Sequence, residues 1–246
     1  MNPVLEEIVK TQRMRPVNGG DSIPVDSAID DEEGSFLQNL VRQVDPKVTL
    51  EVGLAFGISA LYICDALQIR EGTRHIAIDP YQRDNDSAWG SWGNGIGIAN
   101  LSRAGFADIV KLIEKPSHLA LPELEIAGQK VDFAFIDGNH SFDFTLVDFF
   151  YIDHMLQVGG IIAFDDAFRP AVKKVLRFVA TNRHYSAVGY CGKRYTNSWK
   201  RRSAERLISV IPFCISNFEL GIRGRCVAFR KEKHDDRFPT NFFKRF

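Results

Sequence analysis

Carboxylates standing where hydrophobic runs end are the residues of this chain best suited to chemistry. Glu51 opens the run Glu51-Val52-Gly53-Leu54-Ala55-Phe56-Gly57, and Asp79 closes Ile78-Asp79-Pro80. Asp137 heads Asp137-Gly138-Asn139-His140, and Asp165-Asp166 follow Phe164. If those runs are strands of an open α/β sheet, their carboxyl ends line one crevice and the acids converge there. Several carboxylates in one crevice need ligand hydroxyls or a cation to offset their charge.

The glycine segment narrows the cofactor. A dinucleotide fingerprint, G-x-G-x-x-G, uses its second glycine to bring backbone close to a pyrophosphate. Here that position is Ala55, and the pattern is Glu51-x-Gly53-x-x-x-Gly57, a tight turn with less emphasis on phosphate. Ser59 then opens a helix, offering a hydroxyl and free N–H groups to a carboxylate. Asp79 ends the next strand at the separation from Gly57 where an acid meets ribose hydroxyls. Ribose recognition by itself does not name the nucleoside, and the plainer reading is a tight turn whose following loop Asp79 caps.

The elements that must position these residues alternate as βαβ units. Strands are expected at 48–52, 75–79, 110–114, 131–137 and 161–165, with crossover helices at 59–67, 98–104, 119–126 and 143–156. Two further strands, 185–190 and 226–231, complete an α/β, Rossmann-like, doubly wound and mostly parallel seven-stranded sheet with helices on both faces. Residues 31–44 read as an amphipathic helix at the sheet edge, capped by Asp30 or Asp31. A helix is also expected at about 171–180. Residues 11–30 and 84–97, rich in Gly, Pro, Asn and Asp, read as rims of the crevice, and Trp89 and Trp92 could stack on a ring.

With 246 residues the chain fits one domain: a helical or lid region over 1–46, a cofactor-binding core over 47–180, and a C-terminal part over 181–246. The formal charge of zero hides an asymmetry, because residues 1–180 carry net −10 and residues 181–246 net +10. An insertion over 192–222 holds Lys193, Arg194, Lys200, Arg201, Arg202 and Arg206. Cys64, Cys191, Cys214 and Cys226 share no metal or redox spacing, which favours reduced thiols in a cytoplasmic protein. No basic-then-apolar leader and no apolar run near 18 residues is seen, so neither secretion nor membrane spanning is expected.

The order and spacing of these motifs resemble the class I S-adenosylmethionine-dependent methyltransferases, and within them the metal-dependent small-molecule O-methyltransferases of the catechol O-methyltransferase type. The resemblance covers about residues 30–168. It implies cofactor contacts from Glu51, Gly53, Gly57, Ser59, Asp79 and Asp137. The run from Val110 to His118, followed by Pro122, is similar to the segment that passes the adenine, which sets Ser117 and His118 beside that ring. The family's magnesium site corresponds to Asp137, Asp165 and Asp166, hard oxygen donors of the kind Mg²⁺ takes. Plainer roles stay open: Asp137, Asp165 and Asp166 as helix caps, and His118 as a solvent-facing first-turn residue.

One departure bears on the substrate. Where the catechol enzyme has a lysine as base, this chain has His140 in Asp137-Gly138-Asn139-His140. That arrangement resembles the magnesium-dependent sugar O-methyltransferases of antibiotic biosynthesis, including the macrocin type, and implies His140 as the catalytic proton acceptor. The expected acceptor is then a small hydroxylated molecule, such as a sugar moiety. Two other classes remain: a nucleic-acid methyltransferase using the basic insertion with Tyr190, Tyr195 and Trp199, opposed by the acidic crevice, and a dinucleotide-binding or non-catalytic Rossmann domain, opposed by Ala55. A membrane partner is not expected, and a homo-oligomer is compatible with the sequence.

Overall fold

The computed structural model describes residues 1–26, 28–82, 95–192, 217, 220–235, 244 and 246. Trp89 and Trp92, the expected rim over 84–94, and Cys214, Tyr195, Trp199 and the six basic residues of the insertion lie outside the described residues. The first elements are α1 (Pro3–Thr11), β1 (Arg13–Met14), β2 (Ile23–Pro24), α2 (Asp31–Val44), β3 (Val48–Val52), α3 (Ile58–Ala66), β4 (Arg74–Ile78) and α4 (Ile96–Arg103). They are followed by β5 (Val110–Ile113), α5 (Ser117–Ile126), β6 (Val131–Ile136), α6 (Phe142–Met155), β7 (Leu156–Phe164), α7 (Pro170–Asn182), β8 (Tyr185–Cys191) and β9 (Cys226–Lys231).

Seven strands form one sheet in the order β5-β4-β3-β6-β7-β9-β8. The pairs among β5, β4, β3, β6 and β7 are parallel, and β9 runs antiparallel to β7 and β8. Chain order reverses between β3 and β6, which opens the crevice above Gly53 and Asp137. Strands buried on both faces read as near-continuous apolar runs, and β6 (VDFAFI) is one apart from Asp132. Its single acid is put to use: Asp132 Oδ2 accepts from the backbone N–H groups of Lys47 and Val48, each at 2.9 Å, and so aligns the entry to β3.

Helices α1 to α4 bury their apolar sides on one face, with Leu37, Leu61 and Leu101 against Phe133 and Phe135. On the other face α5 to α7 pack Leu121, Phe149 and Val175 around Ile136 and Phe164. The expected helix over 31–44 has those bounds, and Asp30 caps it by accepting from Glu33 N at 3.0 Å. It packs beside α3 with its buried stripe of Leu37, Leu40 and Val41 on the sheet and reaches the edge strand β8, where Phe36 lies against Gly189. Residues 11–30, expected to be irregular, contain an antiparallel ribbon pairing Arg13 with Pro24 and Met14 with Ile23. Strand β7 starts at Leu156, earlier than the expected 161, with a register shift against β6 between Val131 and Phe133.

The alternative capping roles do not appear. The N-cap of α7 is Arg169 and that of α6 is Ser141, so neither the Asp165-Asp166 pair nor Asp137 caps the helix after it. Cys64, Cys191 and Cys226 are free and buried, and Cys191 faces Cys226 across the β8/β9 pair. Among the described residues no helix is long and apolar enough to cross a membrane.

Candidate active site

The turn between β3 and α3 forms because two glycines remove side chains that could not be there. Gly53 has φ 92°, and a Cβ on it would run into the Asp137 carbonyl of the neighbouring strand end. Gly57 has φ 75°, and its Cβ would lie 2.9 Å from the Gly97 carbonyl oxygen of α4. Between them Ala55 is also left-handed, at φ 45°, a conformation costing an L-residue roughly 1–2 kcal/mol. Something must hold that turn.

Three side chains do so. Asp79 Oδ2 accepts from Leu54 N at 3.0 Å and Ala55 N at 2.8 Å, while its Oδ1 accepts from Tyr81 N at 2.8 Å. Gln82 Nε2 donates to Ala55 O at 2.7 Å, and Asn100 Nδ2 donates to Phe56 O at 2.9 Å. The Asp79 carboxylate, expected to face a ribose, is buried and turned onto the turn's own N–H groups. Glu51 and Ser59, also expected at the cofactor, lie bonded to each other beneath the turn. Ser59 Oγ donates to Glu51 Oε2 at 2.9 Å, and Glu51 Oε1 faces His75 Nε2 at 3.2 Å. The Glu51 side chain is fully buried, so in this arrangement it supports the turn from below.

The opposite wall is acidic and under-compensated. Asp137 N donates to Val52 O at 2.9 Å and Asp165 N to Ile136 O at 3.0 Å, which carries the strand hydrogen bonding up to the crevice edge. His140 Nε2 stands 3.3 Å from Asp166 Oδ2 and 4.0 Å from Asp137 Oδ1, so one imidazole spans the ends of β6 and β7. Asp166 is left-handed at φ 52°, and its carboxylate also meets the Arg169 guanidinium. Burial lowers the His140 pKa below its ordinary value and Arg169 adds to this, while Asp166 and Asp165 oppose it.

The sequence did not single out Glu33 or Arg225, yet both join this wall. Glu33, in the first turn of α2, is 1% exposed, and Arg225 Nε donates to its Oε2 at 2.7 Å. Arg225 also reaches Asp30 at 3.1 Å and lies 3.8 Å from Asp165 Oδ1. Burial first, then Asp165, push Glu33 up to about 9 despite Arg225. Asp137 is likewise held well above the carboxylate range by burial, then by Asp165 and Glu33. Glu33 Oε1 and Asp165 Oδ1 have no hydrogen-bond partner among the described residues. The only hint in the sequence was the acidic start of α2, whose charges also suit the helix dipole.

Ser117 and His118 form the first turn of α5. Ser117 is half-buried, whereas His118 is exposed with its ring edge-on to Phe144 at 5.6 Å between centroids. Among the described residues no three His, Cys, Asp or Glu side chains are grouped as a metal site, and Asp166 is engaged by Arg169 and His140. Asp137 and Asp165 still fit a cation, since one is pushed towards its protonated form by neighbouring carboxylates and the other keeps an orphaned oxygen.

Residues 50–167 match the family model described as a methyltransferase domain. A caffeoyl-CoA O-methyltransferase of Populus kitakamiensis is 32% identical over 149 residues, covering 60% of this chain and 55% of that protein. The chain thus spans about half the length of the curated relatives it matches. In fold it is similar to an O-methyltransferase of Bacillus cereus solved with S-adenosylhomocysteine, with a TM-score of 0.62 at 18% identity over 94% of this chain and 92% of that one. The O-methyltransferase TomG of Streptomyces achromogenes, solved with S-adenosylmethionine, gives 0.57 at 18% identity over 76% and 82%.

Proposed function

We propose that this chain, a class I S-adenosylmethionine-dependent methyltransferase by the match over residues 50–167 and by its fold, methylates a hydroxyl oxygen of a small molecule, with His140 as base and a divalent cation at the acidic wall. The observation that carries this reading is His140 lying between Asp137 and Asp166 at the ends of β6 and β7.

S-adenosylmethionine supplies a methyl on a sulfonium sulfur, and a divalent cation such as Mg²⁺ lowers the pKa of an oxygen bound to it. The rest falls to the chain. Gly53 and Gly57 keep the floor of the crevice clear of side chains, and Asp79, Gln82 and Asn100 fix the turn that borders the cofactor. Ser117 and His118 would border the adenine. Asp137 and Asp165, with Asp166 once free of Arg169, would hold the cation. His140, kept neutral by burial, accepts the acceptor's hydroxyl proton at Nε2, and Asp166 then stabilises the imidazolium that results.

The Populus relative is named for a phenolic acceptor, caffeoyl-CoA. Here a histidine stands where the catechol enzyme has a lysine, which supports a sugar-type hydroxyl as the acceptor. Such a hydroxyl is too weak an acid to ionise at neutral pH without both a base and a cation. The buried free thiols support a reducing, cytoplasmic setting. The test is methyl transfer from S-adenosylmethionine to a panel of glycosides and phenols. Activity should vanish in EDTA and return with Mg²⁺, whereas full turnover in chelator removes the cation from the reading.

A further inference from the structure

Asp148 is a buried carboxylate with one side-chain donor within reach. It lies on the sheet side of α6, is fully buried, and neither of its oxygens has a hydrogen-bond partner among the described residues. An orphaned carboxylate of this kind costs several kcal/mol, so a retained one points to a donor that completes it. Its surroundings say where that donor is. Asp148 Oδ2 lies 3.8 Å from the place a Cβ on Gly138 would take, beside Val52, directly below the crevice floor where β3 and β6 end. Burial pushes its pKa up to about 6, and hydrogen bonding from the Ser117 hydroxyl is the one influence that opposes this. Ser117 opens α5 directly after Pro116, and its hydroxyl is the group that reaches down to this carboxylate.

We infer that Asp148 is a positioning residue that accepts a hydrogen bond from the Ser117 hydroxyl and thereby turns the lone pairs of Ser117 outward as an acceptor for the exocyclic amine of an adenine. This rests on the proposed cofactor reading, in which Ser117 borders the base. A hydroxyl carries one proton and two lone pairs. With the proton drawn down to a carboxylate, only acceptor capacity faces the crevice, which suits an amino group and repels the carbonyl oxygen of a hypoxanthine. An asparagine at 148 can donate to Ser117 through its amide, which frees the hydroxyl proton to point outward and reverses the sense of the site. Asp148 thus touches no ligand and acts through the rotor above it.

The experiment is calorimetric binding of S-adenosylhomocysteine and S-inosylhomocysteine to the full chain and to Asp148→Asn, Ser117→Ala and the double variant. The parent should prefer the adenosyl compound by at least about tenfold. Asp148→Asn should lower that ratio by about tenfold or more, and Ser117→Ala should abolish it, with Asp148→Asn then adding nothing in the Ser117→Ala background. Equal weakening of both compounds by Asp148→Asn, with the ratio unchanged, makes Asp148 structural and overturns the inference. If Asp148→Asn does not fold, Ser117→Ala decides, because a preserved ratio there is fatal to it. A parent that binds neither compound refutes the cofactor reading instead, which separates the two failures.

Discussion

The two walls of the crevice are built on opposite principles. On the glycine side four backbone groups of a strained turn have side-chain partners: Asp79 for two N–H groups, Gln82 and Asn100 for two carbonyls. On the acidic side Glu33, Asp137 and Asp165 crowd together with raised pKa values or orphaned oxygens, and Arg225 answers only part of their charge. The first wall has its turn held by side chains, with Gln82 Oε1 and Glu51 Oε1 left over, while the second is short of positive charge and of donors. A wall held by its own side chains gives a ligand shape, and an unsatisfied one gives it binding energy, because desolvated charge is already in place before the ligand arrives.

The comparison breaks most visibly at His140. Its replacement by Ala should lower the chemical step about 10²–10⁴-fold in single-turnover methyl transfer, with cofactor affinity nearly unchanged. An unaltered rate would leave the acidic wall without a base. On the glycine side, Asp79→Ala removes the acceptor of three backbone donors and should cost about 3 kcal/mol or more of unfolding free energy, along with cofactor affinity. If denaturant melts show the protein as stable as before, the turn does not depend on that carboxylate.

Acidity offers a sharper contrast. Asp148 has a folded pKa of about 6 against an ordinary value of 3.8, so the fold favours its protonated form. Its contribution is present below pH 3.8 and is lost as pH rises through 6, a fall of about 3 kcal/mol across that window at 1.36 kcal/mol per unit. Unfolding of the ligand-free protein measured from pH 4 to 7 should show this component, and Asp148→Asn should lack it. The smallest effect is expected at Ala55, where glycine relieves the left-handed strain but enlarges the entropy of the unfolded chain. Ala55→Gly should stabilise by about 0.5–1 kcal/mol, and a loss of stability would mean that the methyl group packs usefully.

What could be read from the sequence follows range. The parallel strands were legible because short apolar runs alternate with helical patterns, and α2 was legible to within one residue of its cap because Asp30 acts three residues away. The position of Asp79 was legible too, but not its orientation onto Leu54 and Ala55, which depends on the twist of two strands. Arg225 meets Glu33 across 192 positions of chain, and no local pattern encodes that. The same holds for Cys191 and Cys226, unrelated by spacing and brought face to face by the register of β8 on β9.

The place of β9 in the sheet also sets a schedule for biosynthesis. A ribosome delivers β8 before the insertion and β9 after it, yet β9 lies between β7 and β8. Until Cys226–Lys231 emerges, β7 has an open edge and β8 has no neighbour, a delay of a few seconds at about 5–20 residues per second. Arg225 arrives in the same step, so the carboxylates of Glu33 and Asp165 go without their guanidinium for as long as the sheet is unfinished. A nascent chain therefore closes its sheet and gains the cation of its acidic wall in one event.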